Sequence, residues 1–174
     1  GLAQCLSKYY NRTFGPDLRN SPSQKFGILI NTVMQSLLDI LFRASRKYPL
    51  KEAVVSGSER VMYGTLARRV RRMAWVLVHN MEIKPQDRVL LQLKNSPQFI
   101  VSYFAVLQAG AIPVPLGISL SKHEIAYIAN DCLPVLGITS NDFMNNLEGA
   151  RLEADLPAMK LLSVDDTHGE KGIR

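Results

Sequence analysis

The sequence predicts an α/β fold: a mostly parallel sheet flanked by helices, with an N-terminal helix and a short β-hairpin. After residue 50, short apolar runs of strand length alternate with amphipathic stretches of helical length. Glycine and proline stand at the changeovers, and the connections between runs are long enough for strands to return parallel. The 174 residues, 47% apolar and 21% charged, suit one globular domain with a sizeable core.

The first elements follow from a change in composition. Residues 1–25 are polar and rich in turn-forming residues, and we interpret residues 1–30 as a leader. From Asn31 to Tyr48 apolar residues recur at helical spacing, and Pro49 ends the predicted helix. Val33, Met34, Leu37, Leu38, Ile40, Leu41 and Ala44 form its apolar stripe.

A hairpin and a second helix come next. Ala53–Val55 and Val61–Tyr63 flank Ser56-Gly57-Ser58, which predicts two short strands joined by a glycine turn. The stretch Gly64–Asn80 then has an apolar stripe at helical spacing, formed by Leu66, Val70, Met73, Ala74, Leu77 and Val78.

Between Asp87 and Leu116 the sequence predicts one complete βαβ unit. Val89–Leu93 is an apolar run of strand length. Asn95 or Ser96 caps the following helix, Pro97 fits its first turn, and Phe99–Leu107 forms its body. Gly110 stands where a left-handed residue ends a helix, and the next strand begins at Ile112.

The remaining signals weaken toward the C-terminus. Ser119–Ser121 can cap a further helix that runs through Ala129, and Val135–Thr139 predicts a third parallel strand. No helix is predicted from Asn141 onward. Leu161, Leu162 and Val164 indicate one more strand, and Thr167–Gly172 is flexible in composition, so the unit is expected to be incomplete.

The net charge of +6 has a local source in Arg68, Arg69, Arg71 and Arg72. These arginines fall opposite the apolar stripe of the second helix, so we interpret them first as a solvated face. A contact with a partner domain is the second interpretation. Nucleic acid is the least favoured, since Trp75 is the only nearby aromatic residue and no nucleic-acid motif is present.

Cysteine usage and hydropathy exclude several classes. Cys5 and Cys132 have no CxxC spacing or Cys/His cluster, so neither a disulfide framework nor a zinc site is supported, and Cys132 is predicted to be an unreactive buried thiol. No apolar run reaches the roughly 20 residues of a membrane span, and no signal-peptide pattern is present. We expect a cytoplasmic protein.

Three passages resemble motifs of one large family. Met62–Leu66 is similar to its first core motif, with Thr65 where glutamate is common. Lys84–Val89 followed by Asn95–Phe99 resembles "KPGDRV…NSPEF", with Gln86 in place of glycine, and Leu107–Leu116 resembles the second core motif "LKAGAxYVPL". The family is the adenylate-forming superfamily: acyl- and aryl-CoA synthetases, fatty acyl-AMP ligases, luciferases and peptide-synthetase adenylation domains.

The resemblance implies a fold position and an activity for a larger parent protein. Residues 31–174 would be a fragment of the N-terminal subdomain of an AMP-binding enzyme. The parent would convert a carboxylic acid to an acyl-adenylate with ATP and Mg²⁺ and pass the acyl group to a thiol, with CoA expected as acceptor. An acyl-CoA synthetase of fatty acid metabolism is the first choice, followed by a peptide-synthetase adenylation domain or a fatty acyl-AMP ligase.

Candidate site residues are few. The family's Ser/Thr/Gly-rich loop ending in lysine, its Tyr-Gly-x-Thr-Glu segment, its ribose-binding aspartate and its mobile catalytic lysine have no counterpart here, and Ser56–Glu59 fits a hairpin turn. His79, His123 and His168 stand apart from any nucleophile motif. We therefore assign no catalytic residue, no metal ligand and no specific cofactor contact. The strand ends nominate Asn95-Ser96, Gly117 and Thr139-Ser140 as the edge nearest a ligand.

Two further expectations concern the chain by itself. Because the chain lacks counterparts of the family's nucleotide-binding and catalytic segments, it is predicted to be inactive and to bind ATP, Mg²⁺ and CoA weakly at most. Self-association through surface exposed by truncation is expected. The alternative from another class is a non-catalytic interaction module of the same fold, which would use the arginine helix or an apolar edge as its contact surface.

Overall fold

The computed structural model describes residues 37–165. The predicted leader at residues 1–30, Cys5, the first residues of the predicted helix at 31–36, and Thr167–Gly172 with His168 lie outside the described residues. The chain divides into two compact units, Gly1–Ile40 and Leu41–Arg174. Every described strand belongs to the second unit.

The described residues form five helices and six strands. In chain order they are α1 (Leu37–Lys47), β1 (Glu52–Ser56), β2 (Glu59–Met62), α2 (Tyr63–His79), β3 (Arg88–Gln92), α3 (Pro97–Gln108), β4 (Ile112–Pro115), α4 (Lys122–Cys132), β5 (Leu136–Thr139), α5 (Asn141–Glu153) and β6 (Lys160–Ser163). Strands and helices alternate from β2 onward, which confirms the predicted α/β class.

Four of the strands form a parallel sheet in the order β4-β3-β5-β6. Each crossover carries a helix, as parallel pairing requires. β1 and β2 form a separate antiparallel hairpin, with Ser56 opposite Glu59 and a two-residue turn at Gly57, whose φ is +56°. The predicted hairpin and mostly parallel sheet are both confirmed.

The sheet is covered on both faces because successive side chains of a strand point to opposite sides. On β3, Val89 and Leu91 join a core cluster with residues of α2 and α3, whereas Leu90 joins a second cluster with residues of α4 and α5. All three side chains are fully buried. A third, smaller cluster lies between the hairpin and α2 and is centred on Val61, Leu66 and Val70.

The βαβ unit has the predicted ends. Ser96, rather than Asn95, caps α3: its hydroxyl accepts a hydrogen bond from the Phe99 amide at 3.2 Å, and Pro97 is the first helical residue. Gly110 has a φ of +78° after α3 ends, a left-handed conformation that glycine adopts without steric cost. Short-range rules therefore locate both ends of this helix.

From Asn141 onward, where the sequence signal weakens and no helix is predicted, Asn141–Glu153 forms α5. Its buried residues are Leu147 and Ala150, and it contains Gly149. So few large apolar residues give no clear helical periodicity, and α5 is instead stabilised by packing on α4 and β5.

Two predicted boundaries are also wrong. Tyr63 begins α2 instead of ending β2, although its backbone amide still donates to the Lys51 carbonyl beside the hairpin at 3.0 Å. Val135 precedes β5, and its side chain is 37% exposed. The last predicted strand is confirmed as β6, with Val164 just beyond it.

The prediction that the arginines of α2 are solvated is confirmed, since all four are exposed. Within the apolar stripe, Val78 is an exception at 41% exposure. Cys132 was predicted to be buried, but it is only half-buried, because the chain turns outward at Leu133 after α4 ends. No helix between residues 37 and 165 is long and apolar enough to cross a bilayer.

Candidate functional site

The carboxyl ends of the four parallel strands lie along one edge of the sheet, where open α/β sheets bind ligands. The nominated residues follow β3, β4 and β5 and therefore lie along this edge. The structure thus brings Asn95-Ser96, Gly117 and Thr139-Ser140 to one side of the fold. Whether they contact a ligand stays a prediction.

Three polar residues stand side by side just inside this edge. Gln92 pairs in register with Thr139, and Thr139 pairs with Ser163. Each is at most 2% exposed. The Thr139 hydroxyl donates to the Gln92 backbone carbonyl at 2.9 Å. We call these three residues the buried polar row. They lie directly beneath the edge.

Gln92 is unusual within this row. Neither its side-chain oxygen nor its side-chain nitrogen has a hydrogen-bond partner among the described residues, although both atoms are buried. An unpaired buried amide costs free energy because it loses its hydrogen bonds to water. The buried polar row is therefore satisfied at Thr139 and Ser163 but not at Gln92.

The first turn of α5 is closed by the last residue of β6 and by Asp165 just beyond it. The Asn141 amide donates to the Asp165 carboxylate at 2.7 Å, and the Ser163 hydroxyl donates to the Asn141 side-chain oxygen at 2.7 Å. A carboxylate at a helix N-terminus is favoured by the helix dipole. Asp165 thus already provides the negative charge at this helix end.

The nominated residues have different surroundings. Asn95 and Gly117 are exposed, Ser96 uses its hydroxyl to cap α3, and Ser140 is half-buried at the start of α5. Beside them, the Lys94 ammonium pairs with Asp142 at 2.7 Å and lies over the Phe143 ring. Lys94, which follows β3, is therefore engaged within the fold.

Chemically, the described edge offers hydroxyls, an amide and backbone groups, but no free acid and base pair. No cluster of three or more His, Cys, Asp or Glu side chains that could hold a metal occurs between residues 37 and 165. The described residues therefore do not fit a Mg²⁺ site. His79 stacks on Trp75, and His123 pairs with Glu153, so both histidines have partners other than the nominated residues of this edge.

Half-buried Cys132 also has a structural environment. Burial raises the pKa of its thiol, and a raised pKa lowers the fraction of reactive thiolate at neutral pH. Its backbone oxygen accepts a hydrogen bond from Arg88. These observations support an unreactive thiol.

Sequence reasoning missed the buried polar row and the Lys94 pair with Asp142. The available signal was weak: a glutamine inside the apolar run Val89–Leu93, and a hydroxyl residue at the end of each of two later strands. The row exists because the strand register places residues 47 positions apart next to each other. A single sequence does not show that register.

Comparison with known proteins gives a consistent result. The family model "AMP-binding enzyme" matches residues 41–172. Salicyl-AMP ligase / salicyl-S-ArCP synthetase of Mycobacterium tuberculosis is 34% identical over 146 residues, covering 78% of this chain and 25% of the relative. Triostin synthetase I of Streptomyces triostinicus is 39% identical over 94 residues, covering 54% of this chain and 17% of the relative.

Solved structures agree on the fold. The crystal structure of the N-terminal domain of FACL13 from Mycobacterium tuberculosis matches with a TM-score of 0.69 and 25% identity, covering 76% of this chain and 34% of that one. The chain thus spans about a quarter of the salicyl-AMP ligase and about a third of the FACL13 domain.

Proposed function

Because the chain belongs to the AMP-binding enzyme family, we propose that it is the N-terminal part of a ligase that activates a carboxylic acid as its acyl-adenylate. The family match over residues 41–172 carries this proposal. A carboxylate is a poor electrophile, so its oxygen would first attack the α-phosphorus of ATP and displace pyrophosphate, which leaves the acyl group bound to AMP, a good leaving group. A thiol would then attack the acyl carbon, forming a thioester and releasing AMP and the thiol proton.

CoA is our proposed acceptor, with a fatty or aryl acid as substrate. Support comes from relatives named as CoA ligases, among them 4-hydroxybutyrate–CoA ligase 2. A carrier-protein thiol is the alternative, since the salicyl-AMP ligase is also named a salicyl-S-ArCP synthetase. We place the protein in the cytoplasm.

In this proposal the described residues are a scaffold. Stabilising the charge that develops on phosphate needs lysine, Mg²⁺ and backbone donors arranged around it. At the strand edge, Lys94 is paired with Asp142, and Asp165 binds the start of α5. The groups that bind ATP and Mg²⁺ would come from other segments of a longer protein, and residues 1–174 alone would be inactive.

The two edges of the sheet support a proposal about self-association. Alternate residues of β4 donate to β3, beginning with Ile112, so Pro113 and Pro115 occupy the outward positions, where they offer no N–H. At the two ends of β6, the backbone N–H groups of Lys160 and Val164 donate to the β5 side, so the backbone N–H of Leu161 faces the open side, and no strand between residues 37 and 165 pairs with that side. We propose that isolated chains associate through β6, because an open strand edge is a template for pairing.

The direct test is exchange of labelled pyrophosphate into ATP, which requires reversible acyl-adenylate formation. Pure chain of residues 1–174 should give no exchange above background with aliphatic or aromatic acids. A carboxylate-dependent exchange by this chain would overturn the proposal that residues 1–174 alone are inactive. Sedimentation of the same sample tests association: Leu161→Pro should lower the associated fraction, while Val55→Pro on the hairpin should not.

A further inference from the structure

The positive charge of the chain is concentrated in one stretch. Residues 41–79 contain nine lysines and arginines and two glutamates, a net charge of +7, whereas residues 80–174 have eight basic and eleven acidic residues, a net charge of −3. Both glutamates are engaged in exposed ion pairs, Glu52 with Arg60 and Glu59 with Arg69. Among residues 37–165 no ion pair involves the other seven basic side chains of the stretch.

Two helices place several of these charges together. The Arg71 guanidinium of α2 lies 4.7 Å from the Phe42 ring centroid of α1, and the Gly64 amide at the start of α2 donates to the Pro49 carbonyl after α1. Phe42 therefore lies beside Arg71, and the residues that follow α1 lie beside the start of α2. Arg46 follows Phe42 by four residues, so it lies on the same side of α1.

On α2 the spacing extends the charged surface along the helix. Arg68 lies three residues before Arg71, and Trp75 lies three and four residues after Arg72 and Arg71, so these side chains are neighbours. All are exposed. We call the following residues the basic face: Arg46, Arg68, Arg71, Arg72 and Trp75.

Trp75 adds an exposed aromatic ring to the basic face. It is 57% exposed, and its ring stacks on His79 with centroids 4.5 Å apart, so the indole is held in place at the surface. Val78, 41% exposed, adds apolar area on the same helix. Tryptophan flanked by arginines is typical of protein surfaces that lie at a membrane–water interface.

We propose that the basic face docks on the surface of an anionic lipid bilayer. The arginine guanidiniums bind lipid phosphate and carboxylate groups, and the Trp75 indole enters the headgroup layer. The main argument is charge complementarity. Each Lys or Arg of a basic cluster makes the free energy of binding to an anionic leaflet more favourable. This is contact with a surface, and it requires no membrane-spanning helix.

The same observations favour a bilayer over other anionic partners. Single-stranded nucleic acids are held by several aromatic platforms along a groove, whereas this face has one exposed tryptophan on a helix surface. An acidic protein needs charges at matching positions, whereas a bilayer accepts arginines spread over two adjacent helices. Exposed apolar area at Trp75 and Val78 is buried by a bilayer interface without any directional partner.

The test uses the full chain with vesicles of phosphatidylcholine alone or mixed with phosphatidylserine. Trp75 is the only tryptophan, so intrinsic fluorescence reports this face directly. Mixed vesicles should co-sediment with the protein, shift its emission to the blue, and allow quenching by brominated lipid. Arg68→Glu with Arg72→Glu should weaken vesicle binding at least about tenfold, and high salt should weaken it too.

A matched control separates this surface from net charge. Lys84→Glu with Lys122→Glu changes the net charge equally, at exposed positions outside residues 41–79, and should change binding by less than about threefold. If the glutamate variant fails to fold by circular dichroism, Arg68→Gln with Arg72→Gln replaces it. The proposal would be overturned by an equal loss of binding in the basic-face and control variants, or by equal binding to neutral vesicles. Binding without a shift in Trp75 emission, or a preference for RNA or polyglutamate over vesicles, would overturn it too.

Discussion

The Nε of Arg88 donates a hydrogen bond to the backbone oxygen of Cys132 at 2.6 Å, joining the start of β3 to the end of α4 across 44 positions of sequence. A second guanidinium nitrogen donates to the Leu133 carbonyl at 3.3 Å. Both acceptors lie at a helix C-terminus, where the dipole favours a cation. The arginine of the passage similar to "KPGDRV" is thus a structural clamp between β3 and α4.

Replacing this clamp should destabilise the protein. Arg88→Met should lower the free energy of unfolding by about 1.5–3 kcal/mol, because hydrogen bonds from a charged donor to two helix-end carbonyls are lost. Arg60→Met is the matched control: its ion pair with Glu52 is long at 3.6 Å and exposed, so the change should stay within about 1 kcal/mol. Urea denaturation of both variants measures the difference, and equal effects would refute the clamp.

The unpaired amide of Gln92 gives the opposite expectation. Gln92→Met keeps the length of the side chain and removes the two buried polar atoms, so the free energy of unfolding should rise by about 1–3 kcal/mol. Thr139→Val removes the donor to the Gln92 backbone carbonyl and should lower it by about 1 kcal/mol. Denaturant melts test both. If Gln92→Met destabilises the protein, the amide has a partner in solution.

Two glycines allow a test of backbone strain. Gly110 has a φ of +78°, and a Cβ there would lie 3.4 Å from Pro85, so Gly110→Ala should cost about 1–2 kcal/mol. Gly117 lies outside the positive-φ region, and its nearest neighbour to a new Cβ is Leu120 at 3.6 Å. Gly117→Ala should therefore change stability by less than about 0.5 kcal/mol. Similar melting temperatures for the two variants would contradict this account.

The capping box of α4 predicts a pH dependence. Hydrogen bonds from the backbone amide and the hydroxyl of Ser121 lower the pKa of Glu124 below its ordinary value. The ionised carboxylate therefore stabilises the folded state above the unfolded pKa, and this stabilisation is lost as pH falls through the folded pKa. Glu124→Gln should melt at a lower temperature than the parent at pH 7, and the gap should close in acid. A gap that stays constant with pH would show that the charge plays no part.

Much of the fold could be predicted because local chemistry determines it. Ser96, Pro97 and Gly110 mark the ends of α3 by rules that act over a few residues, and the apolar stripe of α2 identifies its buried face. In contrast, α5 depends on tertiary packing of Leu147 and Ala150 and has little periodicity of its own.

The sequence predicted where the candidate site lies, but not which side chains face each other there. Strand order and chain direction nominate the carboxyl edge, and the structure puts the nominated residues there. Which side chains face each other depends on the register between strands far apart in sequence, as at Gln92 and Thr139. That register follows from the packed sheet as a whole, so the buried polar row could not be read from the sequence.

We propose that this chain is the N-terminal part of a carboxylate-activating ligase, and the sequence of the transcript that encodes it, read downstream of Arg174, tests this proposal. We expect an open reading frame that soon encodes a Ser/Thr/Gly-rich loop ending in lysine, which would supply the phosphate-binding groups. A stop codon directly after Arg174, or a continuation without such a loop, would contradict the claim and favour an interaction module.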